Sequence, residues 1–163
     1  SAPLDYLRNL APDTLRNTLH TNLLGPLFFY RAVAPIFTKQ HAGVVVDMLS
    51  QAALKILDQN AAYAPTKWGH RALSLVMEKE LPFVDIYRIY PGVVRTGIWE
   101  KDPSDLKRTI RGSGGLALTP DQVGNFVGEL VAQSPTMKPR DIMLQPSSKG
   151  MDITYLLKDF LSL

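Results

Sequence analysis

The stretch Gly43-Val44-Val45-Val46-Asp47-Met48-Leu49-Ser50, followed by Tyr63-Ala64-Pro65-Thr66-Lys67, decides how this chain is read. The first part is a short β-branched run bounded by glycine and serine, the pattern of a buried parallel strand. Residues 61–80 then carry Trp68, Ala72, Leu75 and Val76 at the core spacing of an amphipathic helix. Tyr63 and Lys67 are four residues apart, so a helix puts them on one face. Ser50 stands at the carboxyl end of the strand, and ligands of open parallel sheets sit beyond such ends. A lysine ammonium beside a phenol favours the phenolate, which predicts a Tyr63 pKa below its ordinary value of about 10. A phenol tuned that way trades a proton with a carbonyl or alcohol oxygen near neutral pH.

Upstream, Pro12-Asp13 opens a helical pattern with Leu15, Leu19, Leu23 and Leu24 on one face. Gly25-Pro26 predicts a kink, after which residues 27–37 continue helical and strongly apolar. Downstream, Pro82 ends the helix of Tyr63, and residues 83–90 read as a second strand stopped by Pro91-Gly92. Residues 98–118 are polar, with Pro103 and Gly112-Ser113-Gly114-Gly115, and predict a mobile loop. Thr119-Pro120-Asp121-Gln122 combines a threonine cap, a proline at the first position and a glutamine that completes a capping box. That helix should reach about Ala132. Asp141-Ile142-Met143-Leu144-Gln145 reads as a third strand closed by Pro146. Ile153, Leu156, Leu157, Phe160 and Leu161 predict a carboxyl-terminal amphipathic helix over 152–163, behind an Asp152 cap. Helices alternating with strands imply an α/β fold, a parallel sheet with right-handed crossovers, in a single domain over 1–163.

At 163 residues, with 45% hydrophobic and 20% charged residues, the chain can bury a sizeable core. It has no cysteine, which excludes disulfides and thiolate chemistry. A net charge of +3 without basic runs interleaved by aromatics points to a solvated surface rather than nucleic-acid binding. No run of about 18 apolar residues occurs, so no membrane span is expected. The start, Ser1-Ala2-Pro3-Leu4-Asp5, has neither the basic nor the apolar region of a signal peptide, and without an initiator methionine some upstream residues are expected to have been removed. A soluble, cytoplasmic protein is the default expectation. His20, His41 and His70 lack metal-ligand spacing and are expected as surface or capping residues, with no metal site.

Together, Ser50, Tyr63-Ala64-Pro65-Thr66-Lys67-Trp68-Gly69, Pro91-Gly92-Val93-Val94-Arg95-Thr96 and Asn22 within Thr21-Asn22-Leu23-Leu24-Gly25 resemble the short-chain dehydrogenase/reductase family. The resemblance covers almost the whole chain up to about Pro146. It implies a three-layer, Rossmann-like parallel sheet, truncated to about three strands flanked by helices. It further implies NAD- or NADP-dependent reduction of a small-molecule carbonyl, or oxidation of an alcohol. Tyr63 would be the general acid/base, Ser50 would orient and polarise the substrate oxygen, and Asn22 would help hold a proton-relay water. Lys67 would lower the Tyr63 pKa and hydrogen-bond the nicotinamide ribose. Pro91, Gly92, Val94 and Thr96 would line the nicotinamide side, and residues 98–118 would cover the substrate.

The family's Thr-Gly-x3-Gly-x-Gly turn and Asn-Asn-Ala-Gly segment do not occur in these 163 residues. The resemblance begins after the fourth of the usual seven strands, which would leave one sheet edge open. A second copy, a partner chain or the helix expected over 152–163 would cover it, so an oligomer is expected. Two other functions fit the same residues: acid/base chemistry without redox (isomerisation, dehydration or cyclisation), or a catalytically silent interaction module.

Overall fold

The apolar run forms as β1 (Gly43–Met48). Period-two alternation buries Val45 and Asp47 while Val44 stays 50% exposed and Met48 39%. The buried strand expected here is buried on one face only, and it stands at the open edge of the sheet that the resemblance implied. The computed structural model describes residues 4–97, 107, 116–132, 138–147 and 150–155. The chain divides into two compact units, residues 1–88 and 89–163.

In the first unit, α1 (Pro12–Leu19) runs through a π turn (His20–Leu24) into α2 (Gly25–Gln40). The irregularity is therefore a widened turn, where the Gly25 amide donates to the His20 carbonyl, five residues back. Pro26 cannot donate to the Asn22 carbonyl and its ring would press on it, and a π turn accommodates both. Helix α2 ends on His41, whose φ of 53° is left-handed and whose ring stacks on Phe83 at 4.3 Å. Helix α3 (Ala64–Glu80) follows β1, and β2 (Val84–Pro91) follows α3. Tyr30, Val45, Met77, Leu81, Val84 and Ile86 form the core, with Phe37 and Phe83 packed on it.

Helix α3 buries a different face from the one its apolar residues predict. Thr66, His70, Ser74 and Met77 point inward, whereas Trp68, Ala72, Leu75 and Val76 are exposed. The inward stripe can be polar because Thr66 and His70 have partners there, Tyr63 and Asp47.

The second unit holds the end of β2, α4 (Pro120–Ala132), β3 (Asp141–Ser147) and β4 (Gly150–Tyr155). The capping box forms as read: the Gln122 amide donates to Thr119 Oγ1 at 3.2 Å, and the Thr119 amide to Gln122 Oε1 at 2.8 Å. Helix α4 buries Val123, Phe126 and Leu130, and Ile142 and Leu144 of β3 are fully buried. The Tyr90 hydroxyl donates to Asp141 at 2.5 Å.

The sheet order is β1-β2-β3-β4, with three parallel strands flanked by helices, as expected, and a fourth that was not. Strand β4 pairs antiparallel with β3, from Ile142 opposite Tyr155 to Ser147 opposite Gly150. It replaces the helix expected to start at Asp152. Met151, Ile153 and Tyr155 alternate with period two, and the β-branched Ile153 and Thr154 favour a strand. Strand β3 also continues through Pro146, which pairs with Met151. Residues 156–163 and most of the 98–118 loop lie outside the described residues.

Two glycines should respond in opposite directions to alanine. A Cβ at Gly43 would sit 2.5 Å from the Phe37 ring, so Gly43→Ala should cost about 1–3 kcal/mol of stability. At Gly128, within α4, a Cβ meets nothing within 4 Å, so Gly128→Ala should add roughly 0.5–1 kcal/mol of helix propensity. Urea unfolding checks both, as shifts of midpoint at constant slope.

Candidate active site

The start of α3 is fixed by its backbone. The Asn60 carbonyl accepts from the amides of Tyr63 and Ala64 at 3.2 and 2.9 Å. The Tyr63 carbonyl in turn accepts from Thr66 Oγ1 at 2.7 Å and from the amides of Thr66 and Lys67. The turn before it is pinned by the Asp5 amide, which donates to the Gln59 carbonyl at 3.0 Å, and Gln59 itself is left-handed with φ 59°. Pro65 fits the first turn, where its missing N–H has no partner to lose.

Four expected site residues come together in this first unit. Ser50 follows β1 in extended conformation, and its Oγ accepts from the Ala52 amide at 3.1 Å. Its hydroxyl lowers the Tyr63 phenol against the effect of burial. Lys67 Nζ donates to the Met48 carbonyl at 2.9 Å and stands 5.8 Å from the centre of the Tyr63 ring. Asn22, carried on the π turn, donates to Thr66 Oγ1 at 3.4 Å and so meets α3 between Tyr63 and Lys67. Such turns often mark functional positions in helices.

The electrostatics differ from the sequence expectation. Burial pushes the Tyr63 phenol up, and only the Ser50 hydrogen bond pulls it back. The lysine does not lower it: the ammonium bonds a backbone carbonyl and stands over the Tyr63 ring. Burial also lowers the Lys67 amine, to about 8, against the opposing charge of Asp47. Both groups are thus driven toward their neutral forms.

Pro91, Gly92, Val94 and Thr96 belong to the second unit. Pro91 ends β2, and the Gly92 amide donates to the Leu144 carbonyl at 2.8 Å. Val94 bridges Leu118 in parallel, and Thr96 is exposed.

A second cluster was missed. Asp47, 5% exposed, accepts from the Tyr30 hydroxyl and lies 3.3 Å from His70 Nε2. Burial alone would raise the Asp47 carboxyl, but hydrogen bonding led by His70 outweighs it and holds the group below its ordinary value. His70 is therefore a buried partner of a carboxylate, not a surface or capping residue; His20 is exposed, and His41 caps α2. A charged residue inside the apolar run Val44-Val45-Val46-Asp47-Met48-Leu49, with a histidine three positions after Lys67, is the sequence signal that could have found it.

A phenol, a hydroxyl, an ammonium and an amide gathered at one helix start can bind an oxygen and exchange a proton with it. Among the described residues, no helix is long and apolar enough to cross a membrane. Residues 4–107 match the short chain dehydrogenase family. The sepiapterin reductase of Chlorobaculum tepidum is 26% identical over 87% of this chain and 56% of its own. The D-threitol dehydrogenase of Mycolicibacterium smegmatis is 32% identical over 74% of this chain and 48% of its own. A serine dehydrogenase solved in its closed form with NADP+ superposes with a TM-score of 0.77 at 20% identity, over 93% of this chain and 64% of that one, a likeness of fold. The chain spans about half the length of the curated relatives it matches. Matched over more than half of its residues, it belongs to the short-chain dehydrogenase family.

Proposed function

We propose that this chain is the catalytic portion of an NAD- or NADP-dependent oxidoreductase that reduces a small-molecule carbonyl or oxidises the corresponding alcohol. The observation that carries the reading is the convergence of Tyr63, Ser50, Lys67 and Asn22 on the first turns of α3. In reduction, the Tyr63 hydroxyl gives its proton to the substrate oxygen; in oxidation, it takes one. Ser50 binds the same oxygen, and the Lys67 ammonium donates to the nicotinamide ribose, the role the family resemblance gives it.

The donor set fits the nicotinamide end of the cofactor: a phenol and an ammonium one helical turn apart can both reach a ribose diol. By the resemblance, Pro91, Gly92, Val94 and Thr96 would line the nicotinamide side. When bound, the cofactor supplies or accepts the two electrons as hydride. No glycine-rich turn of the pyrophosphate-binding kind occurs in the 163 residues. The edge of β1 also offers unpaired backbone groups for another strand. A second copy or a partner chain on that edge, and hence an oligomer, completes the reading.

Two measurements test it. Tyr63→Phe should reduce turnover of a carbonyl substrate with NADH or NADPH by roughly 10²- to 10⁴-fold. Circular dichroism should show the fold intact; a variant as active as the parent would sink the assignment. Carbonyl reduction should also fall as pH rises through about 8, because the Lys67 ammonium is lost there while the Tyr63 phenol, pushed up, keeps its proton. A profile of kcat/KM against pH shows whether the limb is present.

A further inference from the structure

The Asp47 cluster belongs to no part of the mechanism just described, yet it adjoins it. Asp47 precedes Met48, the residue whose carbonyl takes the Lys67 ammonium at 2.9 Å. Lys67 and His70 are three apart on α3 and so share the face turned toward β1, where His70 meets Asp47. We propose that Asp47, anchored by Tyr30 and His70, is a positioning residue that keeps the Lys67 ammonium charged beside Tyr63. The inference rests on the reading of Tyr63 and Lys67 as the proton-transfer pair.

The geometry supports it in three ways. Asp47 Oδ1 takes both anchoring contacts, from the Tyr30 hydroxyl and at 3.3 Å from His70 Nε2, which fixes the carboxylate on the core side of β1. Its Oδ2 is buried with no hydrogen-bond partner within normal reach, and the nearby Ser74 hydroxyl, which is neutral, helps hold the carboxyl ionised without cancelling its charge. A charge held in so dry a place acts strongly on its surroundings, because little water screens it. Lys67 feels that charge as the force opposing its own burial.

Other ionisable groups nearby do not substitute for Asp47. On α3 these are Tyr63 and His70, and on α2 it is Tyr30, none of them a carboxylate. Arg88 of β2 is a cation and pairs with Glu78 at 2.7 Å. His20, on the π turn, is exposed. Without Asp47, burial of the amine would go unopposed and Lys67 would be neutral over more of the physiological range.

The test is the titration of Lys67 in the full chain, read from the NMR signal of its side-chain Cε. In Asp47→Asn the midpoint should fall below about 8 by roughly one unit, the size expected for losing one nearby opposite charge. The falling limb of kcat/KM should move by the same amount, which loss of packing alone would not do. A folded Asp47→Asn protein whose Lys67 midpoint stays in place overturns the proposal. Should that variant fail to fold, Lys67→Met reads the same coupling from the other side, since linkage is reciprocal. The Asp47 carboxyl carbon should then titrate higher than in the parent, and an unmoved titration overturns the proposal equally. A displaced Lys67 midpoint in a chain whose turnover ignores Tyr63→Phe upholds the coupling and defeats only the catalytic reading.

Discussion

The hydrogen bond from the Lys67 ammonium to the Met48 carbonyl, at 2.9 Å, is the contact on which the site depends. It ties the first turns of α3 to the carboxyl end of β1, and so brings a residue that follows the strand, Ser50, to a residue that opens the helix, Tyr63. Each side is rigid for its own reason. The helix start is held by the Asn60 carbonyl, and the segment after β1 by the Ser50 side chain bonding the Ala52 amide. A charge-assisted bond between two such pieces loses little entropy on forming and sets their spacing.

Much of this was legible in the sequence because the signals were local. The strand at 43–48, the start and end of α4 and its capping box follow from β-branching, proline position and side-chain reach. The joint placement of Ser50, Tyr63, Lys67 and Asn22 was legible as well, since helix and strand periods fix where each side chain stands. What was not legible depended on partners distant in sequence. The apolar stripe of α3 predicted its own burial, yet Thr66, His70 and Ser74 went inward, where His70 meets Asp47 of β1 and Thr66 meets Asn22 and the Tyr63 carbonyl. Residues 152–155 carry two overlapping periods, and pairing with β3 chose the strand. Spacing can place a lysine near a tyrosine; it cannot weigh burial against that charge, and burial wins at Tyr63.

The same limit governs the exposed surfaces. Val44 and Met48 on the edge strand, and Trp68, Leu75 and Val76 on α3, keep large apolar areas in contact with water. Isolated exposed apolar residues are ordinary, but a β-branched sheet edge beside an apolar helix stripe is what a packed neighbour would bury. The chain also matches only about half the length of its curated relatives. Family membership follows from the matched residues, whereas a working site requires every side of the substrate and cofactor to be walled.

The two groups that would move the proton are pulled in the same direction by their surroundings. Burial raises a phenol and lowers an amine, so Tyr63 and Lys67 both drift toward neutrality, the state in which the pair is least useful for stabilising a phenolate. Two neighbours push back, and they do so by different means. Ser50 acts on the phenol through a hydrogen bond, and Asp47 acts on the amine through charge. A bond must be aimed, which is why Ser50 is held by its own bond to Ala52; a charge need only be near and dry, which is why Asp47 can act from the core without touching the reacting atoms. In the proposed reaction the tyrosine and lysine would supply the reactive groups, and the polar residues packed around them would set the protonation states in which they work.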